Sequence, residues 1–598
     1  MLQYSKFWLL SRGRMRNLIL FSFFIILSCG GGSGSFDASE RFFYVDSASG
    51  NDTNNGDSES TAWKSLAKVN SQILQPGDNV LFKSGLIYEG ALELTASGTE
   101  SNPIIFGTYG SGSLPVFTGS KTETSWTLHS GSIYKKTMTY TPGKTGSGIV
   151  LEDGTPLEFR NWNTNAETSL GSESGVFTYD PGDLFSGTIY IACSDSANPS
   201  THSIEAGFHL IGVHGENISN ININNIHFKN YSCHGISLRS CSNINVSGCK
   251  AENIGSAVLS LSPLLYGGNG FEFTLNSSNC SVSDSSAVNI FDSGFSPQVF
   301  ESNTLTRDIT FSNCIADKCG FAGIEISVLK YGTSSNEKLQ NIRVDSCTVS
   351  NSGKGWSGIR YGNEGHGIRI KADTGTGSIT GVSITQSTVQ NSASAGIYIG
   401  GETGTVNISR CKISGNKYGI QCAGISGVAS LKLKLSSSLI INHSASGSQG
   451  IAYNVATGSN FEIVNNTFCN NALSFYIGTC GTGTRILKNN VFYSTNTAHT
   501  YLYCGSTPPM QSDYNCFYEK GGNIIGWNDI PYSIVSDFSS ASSTDTNSIG
   551  NNPQFVNSSS DWHLQSGSSC KNSGISAGIL TDFNGNSYGN PPSRGAFR

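Results

Sequence analysis

The chain has 598 residues and a formal net charge of −6, which excludes the basic surface that a nucleic-acid partner requires. Charged residues make up only 13% of the sequence, against about 25% in typical domains, while glycine occupies 71 positions. Few charges and many small polar residues suit stacked strands joined by tight turns.

Residues 1–28 read as a bacterial lipoprotein signal peptide. Lys6, Arg12, Arg14 and Arg16 precede an apolar run from Leu18 to Leu27, and Ile26-Leu-Ser-Cys29 resembles a lipobox with Cys29 as the lipidated residue. The run is shorter than the ~20 residues of a spanning helix. Residues 29–40 read as a flexible tether, Gly30-Gly-Gly-Ser-Gly-Ser35 leading it. The expected location is therefore the outer membrane or cell surface, with membrane contact through the lipid alone.

Residues 41–120 read as an N-terminal cap with the first coils. Phe43-Tyr-Val45 is a predicted strand. Ser60 or Thr61 is placed to cap a helix whose apolar positions are Ala62, Leu66, Val69 and Ile73, and Pro76-Gly-Asp78 ends it. Such a helix would cover an otherwise open sheet edge. In residues 121–215 the pattern changes: Trp126, Tyr134, Phe159, Trp162, Phe177 and Tyr179 suggest a β-rich insertion of short antiparallel strands.

Across residues 216–518 a phrase repeats. Its clearest copies are His234-Gly-Ile-Ser-Leu238, Ala322-Gly-Ile-Glu-Ile326, His366-Gly-Ile-Arg-Ile370, Ala395-Gly-Ile-Tyr-Ile399 and Tyr418-Gly-Ile-Gln-Cys422. A polar position recurs with it: Asn230, Cys249, Ser285, Cys314, Cys347, Ser387, Cys411, Ser438, Asn466 and Asn490. The shortest spacings are roughly 19–28 residues, the period of a solenoid coil. Side chains alternate along a strand, so the two aliphatics of Gly-Ile-x-Ile face the core and x faces solvent. The cysteines of the polar column read as small buried fillers. Cys469/Cys480 and Cys504/Cys516 are better candidates for disulfides in an exported protein. Residues 519–598 read as an irregular C-terminal cap.

These coils, the opening Tyr44-Val-Asp-Ser-Ala-Ser-Gly-Asn-Asp52 with Trp63-Lys-Ser-Leu66, and the closing Asn552-Pro-Gln-Phe-Val556, Trp562-His-Leu564 and Gly595-Ala-Phe597 resemble the pectate-lyase-like superfamily. The resemblance implies an all-β fold: a single-stranded right-handed parallel β-helix. It also implies a polysaccharide partner, and its members include lyases, glycosidases, epimerases and non-enzymatic surface proteins, so the activity must be argued from the site. A monomer is expected.

The outward positions, read coil by coil, are Ser237, Ser296, Glu325, Arg369, Tyr398 and Gln421, followed two residues on by Arg239, Gln298, Ser327, Lys371 and Gly400. Insertions beside these coils carry Tyr266, Tyr331, Trp356 and Tyr361, and long loops on a regular scaffold commonly carry function. Tyr398, Gln298, Trp356, Tyr361 and Tyr331 are thus candidate substrate contacts. The leading expectation is a polysaccharide lyase acting on a uronic-acid-containing glycan by β-elimination, which needs a base and a cation for the developing enolate, with Lys371 and Arg369 as the first candidates. Gly367-Ile-Arg-Ile-Lys371 resembles the coil of family-nine pectate lyases that bears the catalytic lysine, although the paired-aspartate calcium motif of that family is absent. Calcium is a possible cofactor, with Asp292 and Asp373 as candidate ligands. Hydrolysis instead needs two carboxylates ~5–10 Å apart, which Glu325 with Glu364, Asp373 or Asp292 would supply. A non-catalytic glycan binder or adhesin is the reading from outside enzymology. His366 aligns with Ala322 and Ala395 and reads as a turn residue, and Glu325 opposite Arg369 as a surface ion pair.

Overall fold

The computed structural model describes residues 40–139, 148–180, 186–261, 264–329, 336–356, 364–373, 377–423, 431–455, 460–478, 483–507 and 509–598. They form two compact units. One comprises residues up to His214 with Ile218–Cys233 and Gly255–Gly267; the other comprises Gly215–Asn217, His234–Ile254 and Gly268–Arg598. Residues 1–39, with the expected signal peptide and Cys29, lie outside the described residues. Among those described, no helix is long and apolar enough to cross a membrane.

In the first unit, Arg41–Val45 pairs in parallel with Asp78–Lys83, which pairs with Ile104–Tyr109, which in turn pairs with Ser219–Asn224. Phe82 and Phe117 meet edge to face at 4.7 Å in the core beneath. The helix is shorter than its apolar spacing predicts, Leu66–Asn70, and its cap is Ser65, whose hydroxyl accepts from the Lys68 N–H at 3.1 Å. Asp52 explains the shift. Its carboxylate accepts from the Lys64 and Ser65 N–H groups at 2.7 and 3.0 Å, so the chain is pinned in an extended form just ahead of the helix. Thr61 closes a separate 3-10 turn, Glu59–Thr61, and Ile73, beyond the helix end, is 89% exposed. Within residues 121–207, Ser186–Ala192 pairs antiparallel with both Ile133–Thr139 and Val176–Asp180. A smaller antiparallel set joins Ser120–Thr122, Ile204–Gly207 and Val150–Glu152.

The second unit is a right-handed parallel β-helix in which each winding gives one strand to each of three sheets. His234–Arg239, Ser242–Ser247 and Lys250–Ile254 make one winding; Phe271–Thr274, Ser278–Ser283 and Ser286–Ile290 make the next. The register stacks like on like: Ile324, Ile368, Ile397, Ile420, Ile451, Phe475 and Leu502 form one inward column, all fully buried. Each such side chain contributes about 1.5–3 kcal/mol on burial.

The glycine of Gly-Ile-x-Ile is required by proximity rather than by an unusual dihedral. A Cβ on Gly367 would lie 2.5 Å from the Gly396 carbonyl oxygen and 2.3 Å from Val389 Cγ1, so any side chain there would push neighbouring windings apart. The polar column is a ladder of turns: Cys411 N–H donates to Ser438 Oγ at 3.1 Å, Asn466 N–H to Asn490 Oδ1 at 3.0 Å, and Asn490 N–H to Asn515 Oδ1 at 3.0 Å. From Cys249 onward the residue before each column position turns left-handed, as at Asn313, Asn465 and Asn489 with φ of 53°, 58° and 55°, whereas at Asn230 the asparagine itself does so, with φ of 61°. Asparagine tolerates that region, which accounts for its abundance here.

All fourteen described cysteines are buried and unbridged. The expected Cys504/Cys516 disulfide does not form, because the two residues end and begin strands of different sheets. Cys480 lies outside the described residues, and Cys469 Sγ meets the Ser558 carbonyl at 3.4 Å. The closing motifs fold back onto the helix flank, where Phe555, Trp562, Leu564 and Phe597 pack with Ile441, Cys469, Val491 and Tyr493.

His443 is fully buried in this ladder. Its Nδ1 lies 3.2 Å from the Asn416 N–H and 3.0 Å from the Asn416 carbonyl, and its Nε2 lies 3.2 Å from the Ile413 carbonyl, with burial favouring the neutral ring. Burial lowers its pKa from 6.5 to about 4. The unfolded chain therefore holds the extra proton between those values, so this contribution is complete above pH 6.5 and is lost as pH falls toward 4. The expected loss is on the order of 3 kcal/mol. Denaturation of the wild type and of His443→Asn, compared from pH 4 to 7, should show the pH slope reduced in the variant by that amount.

Candidate functional site

The repeated x positions do come into register. Glu325 opposes Arg369, Arg369 opposes Tyr398, and Tyr398 opposes Gln421; Ser327 opposes Lys371 in the neighbouring row. Their surroundings differ from the solvated face that alternation predicts. Glu325 is 3% exposed and Arg369 4%. The pair is buried, not a surface ion pair.

Glu325 is held from four sides. Its Oε2 accepts from Ser293 Oγ at 3.0 Å and Gln298 Nε2 at 2.9 Å, and its Oε1 accepts from Ser327 Oγ at 2.7 Å and Arg369 Nη1 at 3.2 Å. Arg369 Nη1 also donates to Ser327 Oγ at 2.7 Å, and its guanidinium lies 4.9 Å from the Phe321 ring centre. At its other edge, Nε sits 3.4 Å from Glu364 Oε2. The same Glu364 oxygen is 3.0 Å from His366 Nε2. Since His366 Nδ1 accepts from the Ala395 N–H at 3.2 Å, the neutral ring carries its proton on Nε2, facing Glu364. The His366 ring stacks on Tyr398 at 4.7 Å.

Two carboxylates thus flank one guanidinium, and their environments push them apart. Burial raises Glu325 above the ordinary carboxylate value, against the opposing pull of Arg369 and the Ser327 and Ser293 hydroxyls. Burial would raise Glu364 as well, but His366 and Arg369 outweigh it and hold that group below its ordinary value. Glu364 is also the more open of the two, with its side chain 25% exposed. Carboxylates separated in this way are suited to divide proton-donating and proton-accepting work.

The other expected site residues fall into place unevenly. Lys371 and Asp373 pair with each other at 3.1 Å, with side chains 30% and 33% exposed, beside the buried cluster. Arg369 is engaged on both edges, its Nη1 by Glu325 and Ser327 and its Nε facing Glu364, so its charge is directed at two carboxylates. Gln298 is buried and serves Glu325. Trp356 is not a sugar platform: it is 7% exposed, its indole N–H donates to the Asn289 carbonyl at 2.8 Å, and its ring packs on Phe291 at 5.2 Å. Tyr266, in the first unit, packs on Phe159 at 4.9 Å. Tyr331 and Tyr361 lie outside the described residues. Asp292 sits at the bend before Ser293–Val299, where its carbonyl accepts from the Phe321 N–H at 2.9 Å.

Sequence reasoning missed His366, a strand residue rather than a turn residue, and the seryl support from Ser293. It also missed Glu272, whose carboxylate accepts from Ser237 Oγ at 2.8 Å and Asn269 Nδ2 at 3.0 Å. Gly270-Phe-Glu-Phe273 is an aromatic version of the repeat and could have been found by its alternation. The outward row continues past Gln421 through Ala452 to Tyr476 and Tyr503, whose rings stack at 5.8 Å.

No family model matches the chain, and neither does any curated protein sequence. Solved structures with a similar course of chain include XylC in complex with xylose, with TM-score 0.44 and 10% identity over 82% of this chain and 86% of that one. Another is the pectate lyase Pel9A, with TM-score 0.40 and 14% identity over 94% and 96%. A third is an alginate lyase from Paenibacillus sp., with TM-score 0.31 and 12% identity over 62% and 92%.

Proposed function

We propose that this protein binds a polysaccharide along the outward row of its β-helix and hydrolyses glycosidic bonds in it, with Glu364 and Glu325 as the reacting carboxylates. The observation that carries this reading is the pair of carboxylates on either edge of Arg369, one pushed up by burial and one held down by its cationic and imidazole neighbours. Contact with one guanidinium keeps them on the scale of the ~5–9.5 Å separation that glycoside hydrolysis uses. In the reaction Glu325 supplies the proton taken up by the leaving oxygen. Ionised Glu364 either attacks the anomeric carbon or removes a proton from the water that does. Tyr398, and further along Tyr476 and Tyr503, offer rings for sugar faces at one winding per ~4.8 Å.

Charge balance supports a neutral or weakly charged glycan. Arg369 faces two carboxylates and Lys371 faces Asp373, so the cluster has no surplus cation for a string of uronates. A second reading, β-elimination on a uronide, rests on the solvent access of Lys371. The lipobox at Cys29 supports a lipid-anchored, extracytoplasmic setting, where such polymers are met.

The test is a panel of neutral and uronate-containing polysaccharides, followed by both reducing-end release and the ultraviolet absorbance of unsaturated uronides. New reducing ends without that absorbance are expected. Absorbance growing with cleavage would favour the elimination reading, and binding without either signal would make this a glycan receptor.

A further inference from the structure

A second cluster of chemically capable side chains lies in the first unit, unrelated to the carboxylates around Arg369. Three chain segments bring it together. Strand Val150–Glu152 ends in Glu152 and turns at Asp153, which takes φ of 50°. Strand Ser186–Ala192 runs into Cys193 and the turn that carries Asp195. The 3-10 turn Pro199–Thr201 delivers His202 just before Ile204–Gly207, the strand that pairs antiparallel with Val150–Glu152. Cys193 is fully buried, Glu152 is 5% exposed, and the His202 side chain is 15% exposed.

We propose that Cys193, His202 and Glu152, with Asp195 as a fourth donor, form a binding site for a single zinc-class transition-metal ion. One sulfur, one ring nitrogen and one carboxylate oxygen from the first three all lie within 4.8 Å of one another. Tetrahedral bonds of ~2.0–2.3 Å set donors roughly 3.3–3.8 Å apart, so closure on an ion needs only small side-chain movement.

Two observations point to an ion rather than to packing. The first is an orphan. Glu152 Oε2 accepts from the Ser194 N–H at 2.9 Å, but Oε1 is buried with no N–H or hydroxyl donor on it, lies 3.3 Å from His202 Nε2, and the Glu152 carboxylate has only the weak Cys193 thiol as a further donor. A buried carboxylate oxygen without a donor is costly unless something positive meets it. The second is the outer arrangement of His202. Its Nδ1 bonds Asp153 Oδ2 at 2.8 Å, and Asp153 Oδ1 is itself fixed by the Ser203 N–H at 2.9 Å. That is the carboxylate–imidazole arrangement that orients metal-binding histidines, and an ion would take the place of the Nε2 hydrogen bond to Asp195 Oδ1 at 3.2 Å. Nε2 faces Glu152 Oε1 and Asp195 Oδ1, the latter at 3.2 Å and steadied by the Ala197 N–H at 2.8 Å. A thiolate and an imidazole among the donors select zinc or its neighbours over calcium or magnesium. Bound there, the ion would tie together the three segments that build the β-rich part of this unit.

Cobalt(II) is the probe, because a thiolate bond to it gives an ultraviolet charge-transfer band and a tetrahedral site gives strong visible bands. The full chain, first stripped with a chelator, should develop both at one equivalent, and zinc(II) should erase them. Cys193→Ser should remove the charge-transfer band, and His202→Gln, at the rim, should weaken binding at least tenfold with the circular dichroism unchanged. Zinc should also raise the melting temperature of the wild type and not of His202→Gln. A folded wild type that shows no charge-transfer band would overturn the proposal. So would a band that persists in Cys193→Ser, which would place cobalt on another thiol, or binding by His202→Gln equal to the wild type.

Discussion

Glu364→Gln should abolish glycan cleavage while leaving glycan binding and the fold in place. The amide keeps the shape of the side chain but cannot carry the charge that Arg369, at 3.4 Å, and His366, at 3.0 Å, stabilise. Removing a group that moves a proton in the transition state costs about 10²–10⁴ in rate. The loss should fall on kcat with KM nearly constant, since the interaction is made with the reacting atoms. Lys371→Ala should change hydrolysis less than about tenfold on the same assay, because Lys371 pairs with Asp373 beside the cluster rather than within it. The pH profile carries the same signature. Cleavage needs Glu364 ionised and Glu325 protonated, so the acid limb should fall below the ordinary glutamate value of 4.5 and the alkaline limb above it. A Glu364→Gln enzyme at wild-type rate would remove Glu364 from the reaction.

Glu325→Leu should be among the most destabilising single changes in the β-helix. It would leave the buried Arg369 guanidinium with Glu364 alone, and strip Ser293, Gln298 and Ser327 of their common acceptor. Breaking one side of a buried ion pair typically costs about 3–5 kcal/mol. The double variant Glu325→Leu/Arg369→Met should recover part of that loss, because it removes the guanidinium that the single change leaves short of a partner, while Glu364 keeps only His366 beside it. Hydrogen exchange of strands Ala322–Val328 and His366–Ala372 is the suitable readout, since it reports the opening of these windings apart from the rest of a long chain. A single variant exchanging at the wild-type rate would mean that the network carries little stability.

Much of the coil architecture is legible in the residue order because a solenoid repeats one local problem. Ile324, Ile368 and Ile397 each need burial, and each is followed within its winding by a polar turn residue, Cys347, Ser387 or Cys411, so the recurrence exposes the fold despite the loops between. The outward row was legible for the same reason: Glu325, Arg369 and Tyr398 occupy equivalent positions in successive windings. The reason for the glycine in each copy was not legible. It lies in a carbonyl from the next winding, as at Gly367 and Gly396, and no single winding contains that contact.

The state of each outward group was equally out of reach. Alternation says that Arg369 points away from the core, yet Phe321, Glu325, Ser327 and Glu364 enclose it. Glu364 and His366 flank a glycine two residues apart, and nothing in that spacing tells that one oxygen will sit between imidazole and guanidinium. Trp356, by contrast, looks like a sugar platform from its place in an insertion and is in fact buried, with its indole N–H on the Asn289 carbonyl.

By itself, then, the order of residues determined the winding, the inward columns and which side chains would share a row, because periodic burial of aliphatics admits one register. Only the tertiary structure decided which members of that row are shielded from water, which are paired and in which direction each carboxylate shifts. Those properties depend on dielectric surroundings and on neighbours brought in from other windings, and both arise only when the coils have stacked.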